Sequence, residues 1–349
     1  MQTQNFSSAT NTHNVAVGFD AGLSVTTGIE NTLIGSLTGD ALTVGDRNVA
    51  VGKGALSAET VSDRSTAVGY RSLAAQNTGS NADVYNTALG YFTGGSVTSG
   101  VQNTLLGGSA GSALTDADFN VAVGYIALAQ DTKGNRSTAI GYSALYNQNF
   151  TSSTDSHNTA VGYHAGLAVT NGIHNTYIGS QSGDATTGGG TNVAVGSSAF
   201  TSDTNSSKNT AVGHSALEAM NNASNTTSYN TSIGSDSGKA ITTGVQNTIV
   251  GSSAGDALTD ADYNVALGYA SLSGDTLGSR STAIGYGTLI NQNFTSATDT
   301  NNTAVGYYAG VSITTGTLNT FVGSNAGASN TTGYDNIVIG RNGGDGTGN

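Results

Sequence analysis

Five histidines, two Asp-Ala-Asp triplets and the Gly-Lys pair at Gly238 are the side chains weighed for action on a ligand. The histidines are His13, His157, His164, His174 and His214. Zinc would need them clustered, or joined by cysteine, at ligand spacing. No HExxH motif occurs and the chain has no cysteine, so neither a zinc site nor a thiolate or disulfide framework is expected. His13 and His157 share one position of the repeat described below. Surface or packing roles are the expectation for all five.

Asp116 with Asp118, and Asp260 with Asp262, recur 144 residues apart. Two carboxylates fall short of the six to eight oxygens that calcium prefers, so turn capping through Asx bonds is expected of them. A glycan-cleaving site would need a carboxylate pair at a set separation. The acidic residues change position from unit to unit, and none stands out as such a pair. A phosphate loop requires GxxxxGK[ST] ahead of a helix; "GSDSGKA" from Gly234 has the wrong spacing and no helix signal. No catalytic, cofactor-binding or metal-ligating residue is assigned, and the chain is read as not an enzyme.

Composition narrows the partners. Hydrophobic residues make up 36% of the chain and charged ones 9%, with 51 glycines and no proline or tryptophan. The deficit is filled by Gly, Ser, Thr and Asn in periodic order, which argues against disorder. A net charge of −12 repels nucleic-acid phosphates and anionic membranes. Neutral or cationic surfaces, glycans and further copies of the chain remain as partners. The N-terminal "MQTQNFSSAT" has no basic and apolar leader, and no stretch approaches the roughly 18 apolar residues of a membrane helix. The expectation is a virion component or a piece of a longer surface protein.

The elements that organise these residues are repeats. "NTAVGYHAG" at Asn158 returns as "NTAVGYYAG" at Asn302, and related units start at nineteen positions from Asn14 to Asn336, spaced 17, 17, 17 and 21 residues in rotation. Position 1 is Asn in sixteen units and Ser in three; position 5 is Gly in all nineteen. Position 3 is mostly Ala, and position 4 is Val, Ile or Leu. Position 6 is aromatic in nine units, and position 9 runs Gly, Gly, Leu, Leu through most blocks of four. A β-branched run this short, closed by glycine, is a strand and not a helix.

One strand and a turn in 17 residues suit one rung of a parallel β-solenoid. Nineteen rungs stacked about 4.8 Å apart would make a rod roughly 90 Å long. The Asn column predicts an axial amide ladder, the Gly column a backbone approach that a Cβ would block, and the aromatic column stacked rings. Alternation places positions 1 and 3 on one face and 2 and 4 on the other. Both faces carry apolar groups, so the outer one is expected to be covered by another copy of the chain. The longer units add residues 74–85, 146–157, 218–229 and 290–301, on one edge and roughly 19 Å apart, with Phe150 and Phe294 at matching points. They read equally as binding loops and as corners that interlock neighbouring chains.

The strings "NTAVG", "STAIG", "NVAVG" and "NTLIG" resemble the head repeats of trimeric autotransporter adhesins. They are equally similar to the NTAVGYxAG arrays of phage tail fibres and of chaperone-matured bacterial surface fibres. The resemblance covers residues 14 to 340 and implies a homotrimeric, extracellular fibre, on a virion or a bacterial surface, that attaches to a host glycan or protein receptor. The domain reading is a partial rung over 1–13, the solenoid over 14–340 and a glycine-rich tail over 341–349. A glycan-degrading tailspike is the alternative function. An ice-binding solenoid is a weaker one, because Val interrupts the position-2 Thr column. A five-bladed propeller is the alternative architecture.

Overall fold

The computed structural model describes residues 4–222, 224 and 226–344. Residues 1–3 and 345–349, the outer parts of the expected N-terminal rung and C-terminal tail, lie outside the described residues. The contacts divide the chain into two compact units, Met1–His174 and Asn175–Asn349, inside what the sequence suggests is one repeat domain. Repeat arrays divide in this way because each rung touches only its neighbours.

The first unit stacks nine three-residue strands: Val15–Val17, Thr32–Ile34, Val49–Val51, Thr66–Val68, Thr87–Leu89, Thr104–Leu106, Val121–Val123, Thr138–Ile140 and Thr159–Val161. The second stacks ten, from Thr176–Ile178 to Ile337–Ile339. Within each unit the strands pair in parallel with the next rung, Val15 opposite Thr32 and Thr66 opposite Thr87 in the first unit, Thr176 opposite Val193 in the second. No described residue is helical. All of the main strand pairings are parallel and run to the next rung, which makes each unit a β-solenoid and excludes the propeller, whose blades are antiparallel.

Position 3 points inward and is fully buried, as at Ala50, Ala160 and Ala304. Its larger members, Leu33, Leu105, Tyr177, Ile249 and Phe321, explain the glycines of position 9. A Cβ on Gly39 would lie 2.9 Å from Leu33 Cδ2, and one on Gly111 2.9 Å from Leu105 Cδ2. In the third and fourth rungs of each complete block, where position 3 is Ala, a buried Leu or Phe takes position 9 instead, as Leu56, Leu128 and Phe200 do; in the first rung both positions are small, and Leu73 and Leu105 of the adjoining rungs fill the space beside Gly94. The two columns share one interior volume and trade it, which close packing requires. The invariant position-5 glycine has a different cause. At Gly90, φ is +141° and an added Cβ would stand 2.6 Å from the Gly107 carbonyl oxygen of the next rung.

The Asn column is buried and bonds axially, though not mainly by amide-to-amide contacts. Within each unit the side-chain oxygens accept the backbone N–H of the next position 1, as Asn14 Oδ1 does from Asn31 (2.8 Å) and Asn31 Oδ1 from Asn48 (2.9 Å). Most amide nitrogens instead donate within their own rung, as Asn31 Nδ2 does to the Gly45 carbonyl at 2.8 Å, whereas Asn209 and Asn336 donate to the preceding rung. A longer amide-to-amide bond joins some rungs, for example Asn103 Nδ2 to Asn86 Oδ1 at 3.3 Å. The column thus satisfies backbone groups that a three-residue strand leaves unpaired.

Where position 1 is Ser, a glutamine makes up for the missing amide. Gln148 Nε2 donates to Ser137 Oγ (2.8 Å) and to the buried Asp131 Oδ2 (2.5 Å), while its Oε1 accepts from Asn158 (2.9 Å). Gln292 does the same for Ser281, Asp275 and Asn302, and Gln76 for Ser65, Glu59 and Asn86. In the third block position 1 of the long unit is Asn209, and there the glutamine is replaced by Met220. The buried Asp203 then lacks an amide donor. Burial pushes its carboxyl above the usual range, against the lowering effect of hydrogen bonds from Ser206 and Asn222.

Candidate binding surface

The surface follows from the same columns. Positions 2 and 4 face outward, and in a single chain they are partly exposed: Leu89 is 49% and Leu267 45% accessible, with Ile34, Ile140, Ile178 and Ile233 close to 40%. The outer strand face is therefore a ladder of aliphatic side chains interleaved with threonines. Only the inner of the two apolar faces is dry within one chain.

Beyond the glycine corner, position 6 carries the expected ring stacks. Tyr70 lies on Tyr91 with centroids 5.3 Å apart, Tyr125, Tyr142 and Tyr163 form a run at 5.8 and 5.5 Å, and Tyr269, Tyr286 and Tyr307 one at 5.1 and 5.5 Å. These rings are about half exposed, and parallel stacking leaves their edges and hydroxyls to solvent.

The residue before each position 1 forms a further outward column in the left-handed backbone region, with φ of 49° at His13 and 60° at His174. His157 and His174 stack there at 5.3 Å, so counting back from Asn puts His174 in the column of His13 and His157. His164 and His214 sit at positions 7 and 6. Among the described residues no three metal-ligating side chains come together. Cations cover aromatic rings in this column, Arg136 over Phe119 at 4.8 Å and Arg280 over Tyr263 at 5.2 Å, each also pairing with an aspartate one rung on, Asp155 and Asp299.

The aspartate triplets bond mostly across rungs, with one bond inside a turn, from Thr115 Oγ1 to Asp116 Oδ1 at 3.0 Å. Asp118 Oδ1 accepts the Val101 N–H at 2.8 Å and Asp262 Oδ1 that of Val245 at 2.7 Å. Asp116 faces Lys133 at 3.6 Å, and Asp260 accepts from Thr243 Oγ1 at 2.5 Å. They are axial ties, as are Asp46 and Asp63 in their own rungs.

The longer corners are less loop-like than their composition suggests. Phe150 and Phe294 are 6% and 7% accessible, and their backbone N–H groups donate to the buried Asp131 and Asp275. Thr154–Asp155 pairs in parallel with Gly134–Asn135, and Thr298–Asp299 with Gly278–Ser279. Segments 151–153 and 295–297 are exposed throughout. Ala223 and Asn225, in the third corner, lie outside the described residues.

A threonine column at position 13 escaped the sequence reading: fourteen Thr and four Asn, the Asn always in the long unit. Its hydroxyls donate along the axis, Thr43 Oγ1 to the Thr60 carbonyl at 2.8 Å and Thr276 Oγ1 to that of Phe294 at 2.8 Å. Hydroxyls committed in this way give the column a tying role in place of the ordered-water face that ice binding needs.

One groove of about 400 Å³ in the first unit is lined by Leu37, Asp40, Lys53, Gly54, Tyr70 and Arg71, together with Ser57 and Ala58. Burial, assisted by Asp20, raises the Asp40 carboxyl above its usual range. Asp40 Oδ1 is buried there without a hydrogen-bond partner. No protein-family model matches the chain, and comparison with curated proteins finds no match.

Proposed function

We propose that the chain is a segment of a homotrimeric adhesive fibre, built on the 17/17/17/21 frame and exposed at a virion or bacterial surface. The observation that carries this reading is the outer strand face, where an aliphatic side chain recurs at position 4 in every rung and stands part-exposed in the isolated chain. Apolar surface repeated at rung spacing exceeds what a soluble monomer ordinarily leaves in water. Identical partners using the same face match it rung for rung. The resemblance of "NTAVG" and its variants to trimeric fibre repeats supports three copies over two. The half-exposed tyrosine stacks and the cation-covered rings supply the kind of rigid, amphipathic surface that holds a saccharide or a protein receptor.

Incubation with envelope polysaccharide from candidate hosts tests the adhesive part. The chain is expected to be retained on the polysaccharide and to release no reducing ends. Release that a single Asp or Glu substitution abolishes would replace this reading with a glycan-cleaving one.

A further inference from the structure

The chain has ten basic residues, and six of them hold an acidic partner: Arg47, Arg64, Lys133, Arg136, Lys239 and Arg280. Lys208 lies over the Tyr229 ring. Lys53 and Arg71 form no ion pair among the described residues, and both line the groove of the first unit. In a chain of net charge −12, two such cations on one opening are a local reversal of sign.

The repeat itself shows that these residues are departures. Lys53 stands at position 6, where the corresponding rungs of the other blocks have Tyr125, Ser197 and Tyr269. Arg71 stands at position 7, where they have Ser143, Ser215 and Gly287. Gly54 takes the place of Ile126, Ser198 and Ala270. Packing does not demand that glycine: an added Cβ would meet only Arg71 Cγ, at an ordinary 3.5 Å, and non-glycine residues in the same column, such as Leu37 and Ser198, adopt the same left-handed backbone. What the glycine does is leave the groove open between Leu37 and Arg71.

Tyr70 ends a ring stack. Tyr91 covers one side of it, and the preceding rung carries Lys53 in place of a ring. We propose, resting on the adhesive reading, that this groove binds a carboxylate-bearing sugar of a surface polysaccharide. Lys53 and Arg71 hold the sugar carboxylate, Arg71 with its planar fork. Tyr70 offers an apolar ring surface to the pyranose. The Asp40 carboxylate borders the same opening, and its charge disfavours a small multivalent inorganic anion.

Isothermal titration of the full chain with trigalacturonate, galactotriose and sodium phosphate tests the site. Trigalacturonate is expected to bind at least tenfold more tightly than either of the others. Arg71→Ser and Lys53→Ser, which install the residues found at Ser215 and Ser197, should each weaken it about 10- to 100-fold. Unchanged binding in both variants, equal binding of galactotriose, phosphate binding as tight as trigalacturonate, or no trigalacturonate binding would each overturn the proposal. Retention on polysaccharide that both variants keep in full would sink the groove and leave the adhesive reading intact. Loss of retention in the wild-type chain would sink the adhesive reading, with the titration still reporting on the groove.

Discussion

Gln148→Met isolates the device that closes the Ser-type rungs. The substitution removes a bond to the buried Asp131 carboxylate and one to Ser137, and deprives Asn158 of an acceptor. A hydrogen bond to a charged group contributes about 1.5–3 kcal/mol and a neutral one about 1 kcal/mol. Asn158 keeps the Gly172 carbonyl at 2.8 Å and Ser137 keeps Ser156 at 2.5 Å, so only the carboxylate bond is lost outright. Added methionine burial offsets roughly 1 kcal/mol, leaving a net loss of about 2–3 kcal/mol. Ser137→Asn alone crowds the glutamine. Combined with Gln148→Met it recreates the Asn209 and Met220 pair of the third block and should recover about 1–2 kcal/mol as coupling. Denaturant unfolding of the four chains at one protein concentration reads this cycle. A Gln148→Met chain within about 0.5 kcal/mol of wild type, or a double variant with no coupling, would refute the compensation argument.

Two further outcomes follow from the interior. Asp203 has a raised folded-state carboxyl, so its stabilising contribution is complete below the unfolded value of 3.8 and is lost as pH rises through the folded value. Asn209→Ser with Met220→Gln supplies the missing amide donor and should flatten the stability profile above about pH 4 relative to wild type, as measured by denaturation across a pH series; an unchanged profile would contradict the donor role. Gly90→Ala drives a Cβ towards the Gly107 carbonyl at positive φ and should cost about 3 kcal/mol or more, while Gly54→Ser, with open space around it, should stay within about 1 kcal/mol. Comparable thermal stability in the two variants would remove the stated reason for the invariant glycine.

Column identity made the strand, its inward face and the ring stacks legible, because stacking converts a repeated residue into a repeated contact. The Asn column was legible as axial bonding, yet its true partners, the Gly45-type carbonyl and the next backbone N–H, depend on where the rung closes. The buried acids Glu59, Asp131, Asp203 and Asp275 were not recognised as a column: each appears only once in four units, and the glutamine partners of Glu59, Asp131 and Asp275 lie in the following rung. Phe150 and Phe294 looked like protruding contacts because polar neighbours surround them in sequence, whereas they turn in beneath the corner. The groove at Lys53 and Arg71 consists of departures from the columns, and only the fold brings residues from three rungs to one opening.

Self-association through the outer strand face is the central claim, and molar mass in solution tests it most directly. Light scattering on the eluting full-length chain is expected to give three times the 34.6 kDa of one chain. With lysine at Ile178, Ile233 and Leu267, which are part-exposed on that face, the same measurement should fall towards one chain mass. A wild-type mass of 34.6 kDa across the accessible concentration range would contradict the account.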